Sequence, residues 1–408
     1  MSGPLEGIRV LELGEIMQGP LAGQTLGDLG ADVVKIEHGH CGDAMRILNR
    51  DAVENGWVSS HFVALNRNKR SVSVDLKTSS GLEVFHRLLE QADVLVHNYR
   101  PDAMRRLGLS YADLAERFPG LVYAGASGFG DSGPLAHKPG QDMLAQSVSG
   151  LARAVGNPKM GSYLNPTAQV DYACGMALVQ GILAALYERE RFGGGQEVSV
   201  CLLDVAVAMQ MMEAAARTMY GQELNWVTQW YNGTFATTDG VITVLGLFRD
   251  NAVGLVCEAL GIENLSRRPE LATTELQARN KDVVNEVIAP VVAKLTTDDA
   301  MARLEGADLL CAPQLRLEDV LEHPQIAAND LMVDVEVAGH GWARVVGNPI
   351  RLSRSPAAVR RPVPRLGQHT REVLAEAGYS PSEIDRLNSD RAVRLHQVDP
   401  HQYAALFA

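Results

Sequence analysis

The chain has 408 residues, more than one hydrophobic core usually organises, so two or three compact units are expected. Hydrophobic residues make up 46% and charged residues 21%, which is globular composition and excludes intrinsic disorder. With 37 Lys and Arg against 49 Asp and Glu the formal charge is −12, so a whole-surface field for nucleic acid or anionic lipid is excluded, and any anionic ligand needs a local basic cluster. Cys41, Cys174, Cys201, Cys257 and Cys311 are odd in number, scattered and free of any C-x-x-C, which predicts reduced thiols in a cytoplasm, without disulfides or a zinc cage. The N-terminal residues lack the basic and apolar regions of a signal peptide. The longest apolar stretch, within Ala173 to Tyr187, reads as too short for a membrane span.

In chain order, Ile8 to Leu13 reads as a strand, Pro20 to Leu29 as a helix stopped by Gly30, and Ala31 to Glu37 as the next strand, a βαβ unit. Leu82, Phe85, Leu88 and Leu89 fall at helical spacing, and strands follow at Asp93–His97 and Leu121–Ala126. The alternation predicts a mostly parallel, Rossmann-like sheet. A long helix is expected from Asp171 to Arg191, ended by Gly193-Gly194-Gly195, then a strand from Gln196 to Val200 and a helix from Leu202 to Ala215. The texture changes at Tyr220, and Phe235 to Val244 reads as a hairpin turning at Asp239-Gly240. The expected fold is therefore α/β: a large Rossmann-like domain over 1–225, a smaller α+β domain over 226–329, and a linker with a C-terminal return over 330–408. Pro349, Pro356, Pro362 and Pro364 mark an extended run before a last helix from Thr370.

Gly14-Glu15-Ile16-Met17-Gln18-Gly19 joins the first strand to the first helix, and Glu37 ends the second strand, an arrangement that invites a dinucleotide reading. Ile16 stands where the pyrophosphate requires glycine, so an NAD-linked oxidoreductase is a minor alternative. Leu65-Asn66-Arg67-Asn68-Lys69-Arg70-Ser71 packs three cations ahead of a strand beginning at Val72, either as a phosphate clamp or as a solvated charge run. Lys35, Arg46, Arg100, Arg105, Arg106 and Lys138 also fall near predicted strand ends, where an open sheet collects ligands, and this favours a polyanionic nucleotide. His38-Gly39-His40-Cys41 with Asp43 resembles a metal cluster in residue type but lacks ligand spacing, so no metal is expected. Asp171 opens a helix nearly devoid of charge until Glu188, either as a capping acid or as a reacting carboxylate.

Taken in order, these segments resemble the class III coenzyme A transferases, the family of formyl-CoA transferase, carnitine CoA-transferase and the 2-methylacyl-CoA racemases. The carriers are Leu5 to Leu11, Gly19-Pro20, Leu29 to Glu37, Gly42-Asp43 with Arg46, and Asn68 to Ser71 with Asp75-Leu76-Lys77. Further along they are Ala92 to Val96 with Asn98 to Pro101, Ser127 to Gly130 with Gly133-Pro134, Asp171, and Gly367 to Thr370. The resemblance implies a CoA-transferase that moves CoA from an acyl-CoA donor, with succinyl-CoA as a candidate, to an organic acid. Asp171 would be the nucleophile, passing through an aspartyl anhydride and an aspartyl-CoA thioester, with helix-start amides steadying the oxyanion. It implies a CoA site of Ile16, Met17, Gln18, His38, Leu65, Lys69, Asn98, Tyr99, Arg106, Leu107 and Lys138, with Lys69 and Arg106 on phosphates. It further implies an interlocked homodimer, CoA thioester as substrate with no permanently bound cofactor, and neither nucleic acid nor membrane as partner. Gly140-Gln141-Asp142 stands where the family's racemases carry a histidine, which weighs against the racemase or isomerase alternative because an amide cannot exchange an α-proton. Phe248 and Arg249, with Trp230 and Tyr231, are candidates for the acceptor pocket, Arg249 suiting a second carboxylate.

Overall fold

A computed structural model describes residues 3–39, 42–153 and 161–395. The chain divides into two compact units. The first comprises the described residues up to 151, then 164–209 and those from 329 onward; the second comprises 210–328 with the described residues of 152–163. The boundary expected at 226 falls inside the second unit, because Leu202–Ala215 is not one helix. It breaks at Met209-Gln210 into Leu202–Ala208 and Met211–Tyr220, and the units part there.

The first unit is built on a seven-stranded sheet of β1 (Arg9–Leu13), β2 (Asp32–Glu37), β3 (Lys69–Val74), β4 (Val94–His97), β5 (Val122–Ser127), β6 (Glu197–Cys201) and, at its edge, β12 (Val393–Arg394). The spatial order is β12-β3-β2-β1-β4-β5-β6, and all neighbours are parallel except β12 with β3. The chain winds outward from β1 to β3 and then crosses back to β4, so β1 and β4 lie side by side with Leu13 opposite His97. That reversal opens a crevice at their carboxyl ends.

Strand residues alternate between two cores, as a pleat buried on both faces requires. Val10, Val33, Val94, Val96 and Val122 meet the first helix (Gln18–Asp28) and the long helix (Gln169–Phe192) on one face. Leu11, Val34, Val72, Leu95 and Tyr123 meet Phe85, Met104, Val373 and Leu374 on the other. The long helix is the one described helix whose length and composition would allow it to cross a membrane, longer than the apolar stretch suggested. Here Val170, Cys174, Leu178 and Ile182 bury it against the sheet. Gly181, beside Val198 of β6, and Gly175, beside Leu21 of the first helix, admit that close packing.

The C-terminal segment closes the outer side of β3. Ser73 N donates to Thr370 Oγ1 at 3.0 Å, Gly367 N to Ser71 Oγ at 2.9 Å, and Arg70 pairs with Glu372 and Glu376. A hairpin of β10 (Met332–Val337) and β11 (Gly341–Val346) packs Val335 and Val337 on Met45, Phe62 and Val363. It occupies a stretch read from the sequence as linker.

The second unit carries an antiparallel sheet of β7 (Asn232–Ala236), β8 (Val241–Leu245) and β9 (Leu310–Pro313). Phe235, Ile242 and Val244 bury against Val253 and Val256 of one helix and Ile288 of another. The expected hairpin is present, turning through Thr237 to Gly240.

Candidate active site

The basic run at 65–71 is neither a phosphate clamp nor a solvated face. The strand begins at Lys69, and the pleat aims Lys69, Ser71 and Ser73 at the face that carries Glu12 and Lys35. Lys69 is fully buried; its Nζ lies 2.7 Å from Glu12 Oε2 and donates to Pro20 O and Asn66 Oδ1, both at 2.8 Å. Burial pulls its ammonium down to about 8 in spite of Glu12. Lys69 therefore has no face for a ligand, and its assignment to CoA phosphate is corrected. Arg67 is spent on Asp28 at 2.6 Å, Asn68 on the same carboxylate, and Arg70 on Asp32.

These buried charges shape the loop after β1. Lys35 Nζ bridges Glu12 at 2.8 Å, Asp43 at 2.9 Å and the Gly14 carbonyl at 2.7 Å. Burial opposes that ammonium, but Asp43 and Glu12 hold it above its ordinary range. Arg46 forks onto Glu37 with two 2.7 Å bonds and holds that carboxyl down to about 2 against burial. Asp43 Oδ1 then accepts Ile16 N at 3.1 Å, which fixes Ile16 at φ 67, a left-handed conformation costly for a β-branched residue. Ile16 is thereby presented to solvent, 49% exposed.

Asn98, just past β4, clasps the same loop. Its Oδ1 accepts Glu15 N at 2.9 Å, and its Nδ2 donates to Glu15 O at 2.7 Å and Gln18 Oε1 at 2.8 Å. With Oε1 so occupied, the Gln18 amide turns Nε2 onto Asp171 Oδ1. Asp171 lies in the first turn of the long helix, only 7% exposed. The residue before that helix, Ala168, supplies no side-chain cap. Asp142 supplies it from a distance: its Oδ2 accepts the Val170 and Asp171 amides at 2.8 and 2.9 Å. Those amides are consequently not free to steady an oxyanion, contrary to expectation, and the donor that reaches Asp171 is Gln18. Burial raises the Asp171 carboxyl to about 6; the Gln18 bond opposes the rise and the neighbouring Asp142 adds to it.

Asp171 faces a cleft of about 470 Å³ at the β1/β4 crevice. Ile16, Gln18, Asn98, Tyr99, Arg106 and Lys138 all line it, as does Arg100. Gly128 and Gly140 close its back: a Cβ on either would lie 2.3 Å from the other's Cα, so no larger residue fits. His38 and Leu107 gather with Tyr99 in a smaller adjoining hollow of about 110 Å³. Leu76 and Lys77 line it too, beyond the site residues that the resemblance implies. Met17 and Leu65 are half-buried and line neither space. Arg105, also in the basic set, pairs with Asp102.

His40 and Cys41 lie outside the described residues, and among the described residues no group of His, Cys, Asp and Glu could hold a metal ion. In the second unit Arg249 is committed to Asp308, with Nη2 to Oδ2 at 2.6 Å, and Tyr231 is a core residue.

A half-hidden carboxylate at the head of a helix thus faces a basic cleft at the switch point of a parallel sheet, where open α/β sheets take their ligands. The family model for CoA-transferase family III matches residues 5–370, and the chain belongs to that family. It is 33% identical over 401 residues to an acyl-CoA transferase of Fusarium pseudograminearum, covering 95% of this chain and 88% of that one. It is 31% identical over 403 residues to succinyl-CoA:glutarate CoA-transferase of Mus musculus, covering 97% and 91%. The crystal structure of a CAIB/BAIF family protein from Brucella suis superposes with a TM-score of 0.83 at 28% identity, covering 92% of this chain and all of that one. The protein is a CoA-transferase, and CoA thioesters are its substrates.

Proposed function

We propose that CoA passes from succinyl-CoA to a dicarboxylic acid such as glutarate by way of covalent intermediates on Asp171. The observation that carries the mechanism is the Asn98–Gln18–Asp171 relay at the cleft. Asp171 Oδ2, which has no hydrogen bond among the described residues, attacks the thioester carbonyl. The C–S bond breaks and CoA leaves as thiolate, leaving a mixed aspartyl anhydride. The thiolate returns to the aspartyl carbonyl and releases the first acid as carboxylate, giving aspartyl-CoA thioester. The incoming acid attacks that carbonyl, CoA leaves again, and its thiolate takes the new acyl group from the second anhydride. Asp171 is regenerated and no proton is gained or lost.

Raised to about 6, Asp171 is more basic than an exposed carboxylate yet still largely ionised at pH 7, which suits a nucleophile that has no partner base. Gln18 Nε2 is placed to stay with the aspartyl oxygen as charge shifts onto it. Arg100, Arg106 and Lys138 serve CoA phosphates and the acid's carboxylate, and Tyr99, Leu107, Leu76 and Lys77 hold the remainder of CoA. The choice of substrates is supported by the mouse relative's activity. Gln141, an amide on the cleft wall, supports transfer over racemisation.

We also propose the interlocked homodimer. The Met211–Tyr220 helix buries no residue within one chain, and Met211, Met212, Met219 and Tyr220 are exposed, which supports coverage by a second copy.

Mixing the enzyme with succinyl-CoA and glutarate, and reading thioesters by mass, tests the function. Glutaryl-CoA and free succinate are expected in equal amounts; α-proton exchange on an acyl-CoA without a second acid would favour the racemase reading instead.

A further inference from the structure

Behind Tyr99, on the β5/β6 side of the sheet, lies a separate cavity of about 300 Å³ that the transfer reaction does not use. It shares the wall of Tyr99, Pro101, Ala126 and Ser127 with the Asp171 cleft. His97, the last residue of β4, lines it and is only 6% exposed. Both of its ring nitrogens are buried and neither makes a hydrogen bond. Nε2 lies over Gly125, where an added Cβ would come within 2.8 Å of it. An unmet buried imidazole is costly to leave without a partner. Burial pushes its pKa down to about 4 against the opposing Tyr99 backbone, so at pH 7 the ring is neutral and one nitrogen is an acceptor.

The walls and mouth have the opposite character from the CoA cleft. Tyr123 packs edge-on to His97 with centroids 4.9 Å apart, and Tyr111 packs against Tyr123 at 5.7 Å. Asp131 and Glu197 also line the cavity, and neither is ion-paired among the described residues; Asp131 Oδ2 accepts only Ser199 Oγ at 3.2 Å. Their joint charge is felt inside. After burial, Glu197 and Asp131 push the Tyr123 phenol up, and Asp131 likewise raises Glu197. The one cation on the wall, Arg105, is spent on Asp102 at 2.5 Å. An anionic substrate is repelled here, whereas a positive group would find two carboxylates, aromatic walls and a free acceptor together.

We propose that this cavity is a second ligand site, distinct from the CoA cleft, that takes a small organic cation bearing an N–H donor, a primary or secondary ammonium. The ammonium sits between Asp131 and Glu197, the organic portion lies against Tyr111 and Tyr123, and an N–H reaches His97.

Calorimetry on the full chain with 2-phenylethylammonium, 2-phenylethanol and 3-phenylpropionate tests this. The ammonium should bind saturably, the alcohol at least about tenfold more weakly, and the acid not at all. The Asp131→Asn/Glu197→Gln double variant alters exposed residues outside the Asp171 cleft. It should lose at least about tenfold in ammonium affinity while CoA affinity is unchanged. The His97 imidazole ¹⁵N resonances should move on addition of the ammonium. Absence of saturable binding, equal binding of all three probes, or unchanged affinity in the double variant would overturn the proposal.

Discussion

Replacing Asp171 should stabilise the protein, and only where that carboxyl would otherwise be charged. Its carboxyl is raised from 3.8 to about 6 in the folded chain, so folding takes up a proton between those values. The ionised side chain is then a burden on the fold that is absent in acid and fully present above pH 7. A rise of this size corresponds to roughly 3 kcal/mol at pH 8 and falls to roughly 1 kcal/mol at pH 4.5. Asp171→Asn keeps Oδ1 as an acceptor for Gln18 and removes the charge. Its advantage over the parent should therefore reach about 3 kcal/mol at pH 8 and shrink by about 2 kcal/mol at pH 4.5, read from urea unfolding of both proteins at each pH. Transfer activity should be lost at both. A variant less stable than the parent at pH 8, or an advantage that does not change with pH, would refute the link between burial of Asp171 and its basicity.

As the proposed nucleophile, the same carboxyl should set the acid limb of kcat, which should rise through about pH 6 as Asp171 ionises; Asp142→Asn, by removing the adjacent charge, should move that limb to lower pH. An unmoved limb in that variant would show that Asp142 only caps the helix. Asn98→Ala frees the Gln18 amide to turn, so kcat should fall by about tenfold to a hundredfold with little change in CoA affinity. Comparable losses in both would mean that Asn98 acts through CoA contact. Arg106→Ala should weaken CoA by roughly 1.5 to 3 kcal/mol in a direct titration. Lys69→Met should instead lower stability, because Glu12 Oε2 loses its cation and the carboxylate keeps only Lys35 at Oε1, and a folded Lys69→Met protein with weakened CoA binding and unaltered stability would contradict the buried pairing.

What was legible in the sequence was the pattern that local physics dictates. The βαβ start and the charge-poor helix behind Asp171 follow from apolar periodicity, whereas the β1/β4 reversal is a matter of strand order that periodicity does not carry. Ile16, Gln18, Asn98, Tyr99, Arg106, Lys138 and Asp171, which the family resemblance implies as site residues, meet at one cleft. Lys69 is a phosphate ligand only by the family resemblance; with the strand begun at Lys69 instead of Val72, the alternation puts it beside Glu12, an acid in an otherwise apolar strand. Lys77 and Leu76 went unassigned since nothing local distinguishes a cleft lysine from a surface one. The Asp142 cap joins residues far apart in the chain, and only the folded sheet brings them together. Val333, Val335 and Val337 alternate as a strand should, with Gly341 past the turn, but the prolines that follow masked the hairpin.

Covalent capture at Asp171 tests the central claim most directly. With succinyl-CoA supplied and acceptor acid withheld, the second half-reaction has no substrate, so aspartyl-CoA thioester should accumulate. Borohydride or hydroxylamine followed by peptide mass analysis should mark Asp171 alone, and Asp171→Asn should remain unmarked while still binding CoA. Full transfer by the Asn variant, with reversion to Asp excluded by mass, would contradict the mechanism and leave Asp171 as a helix-start acid.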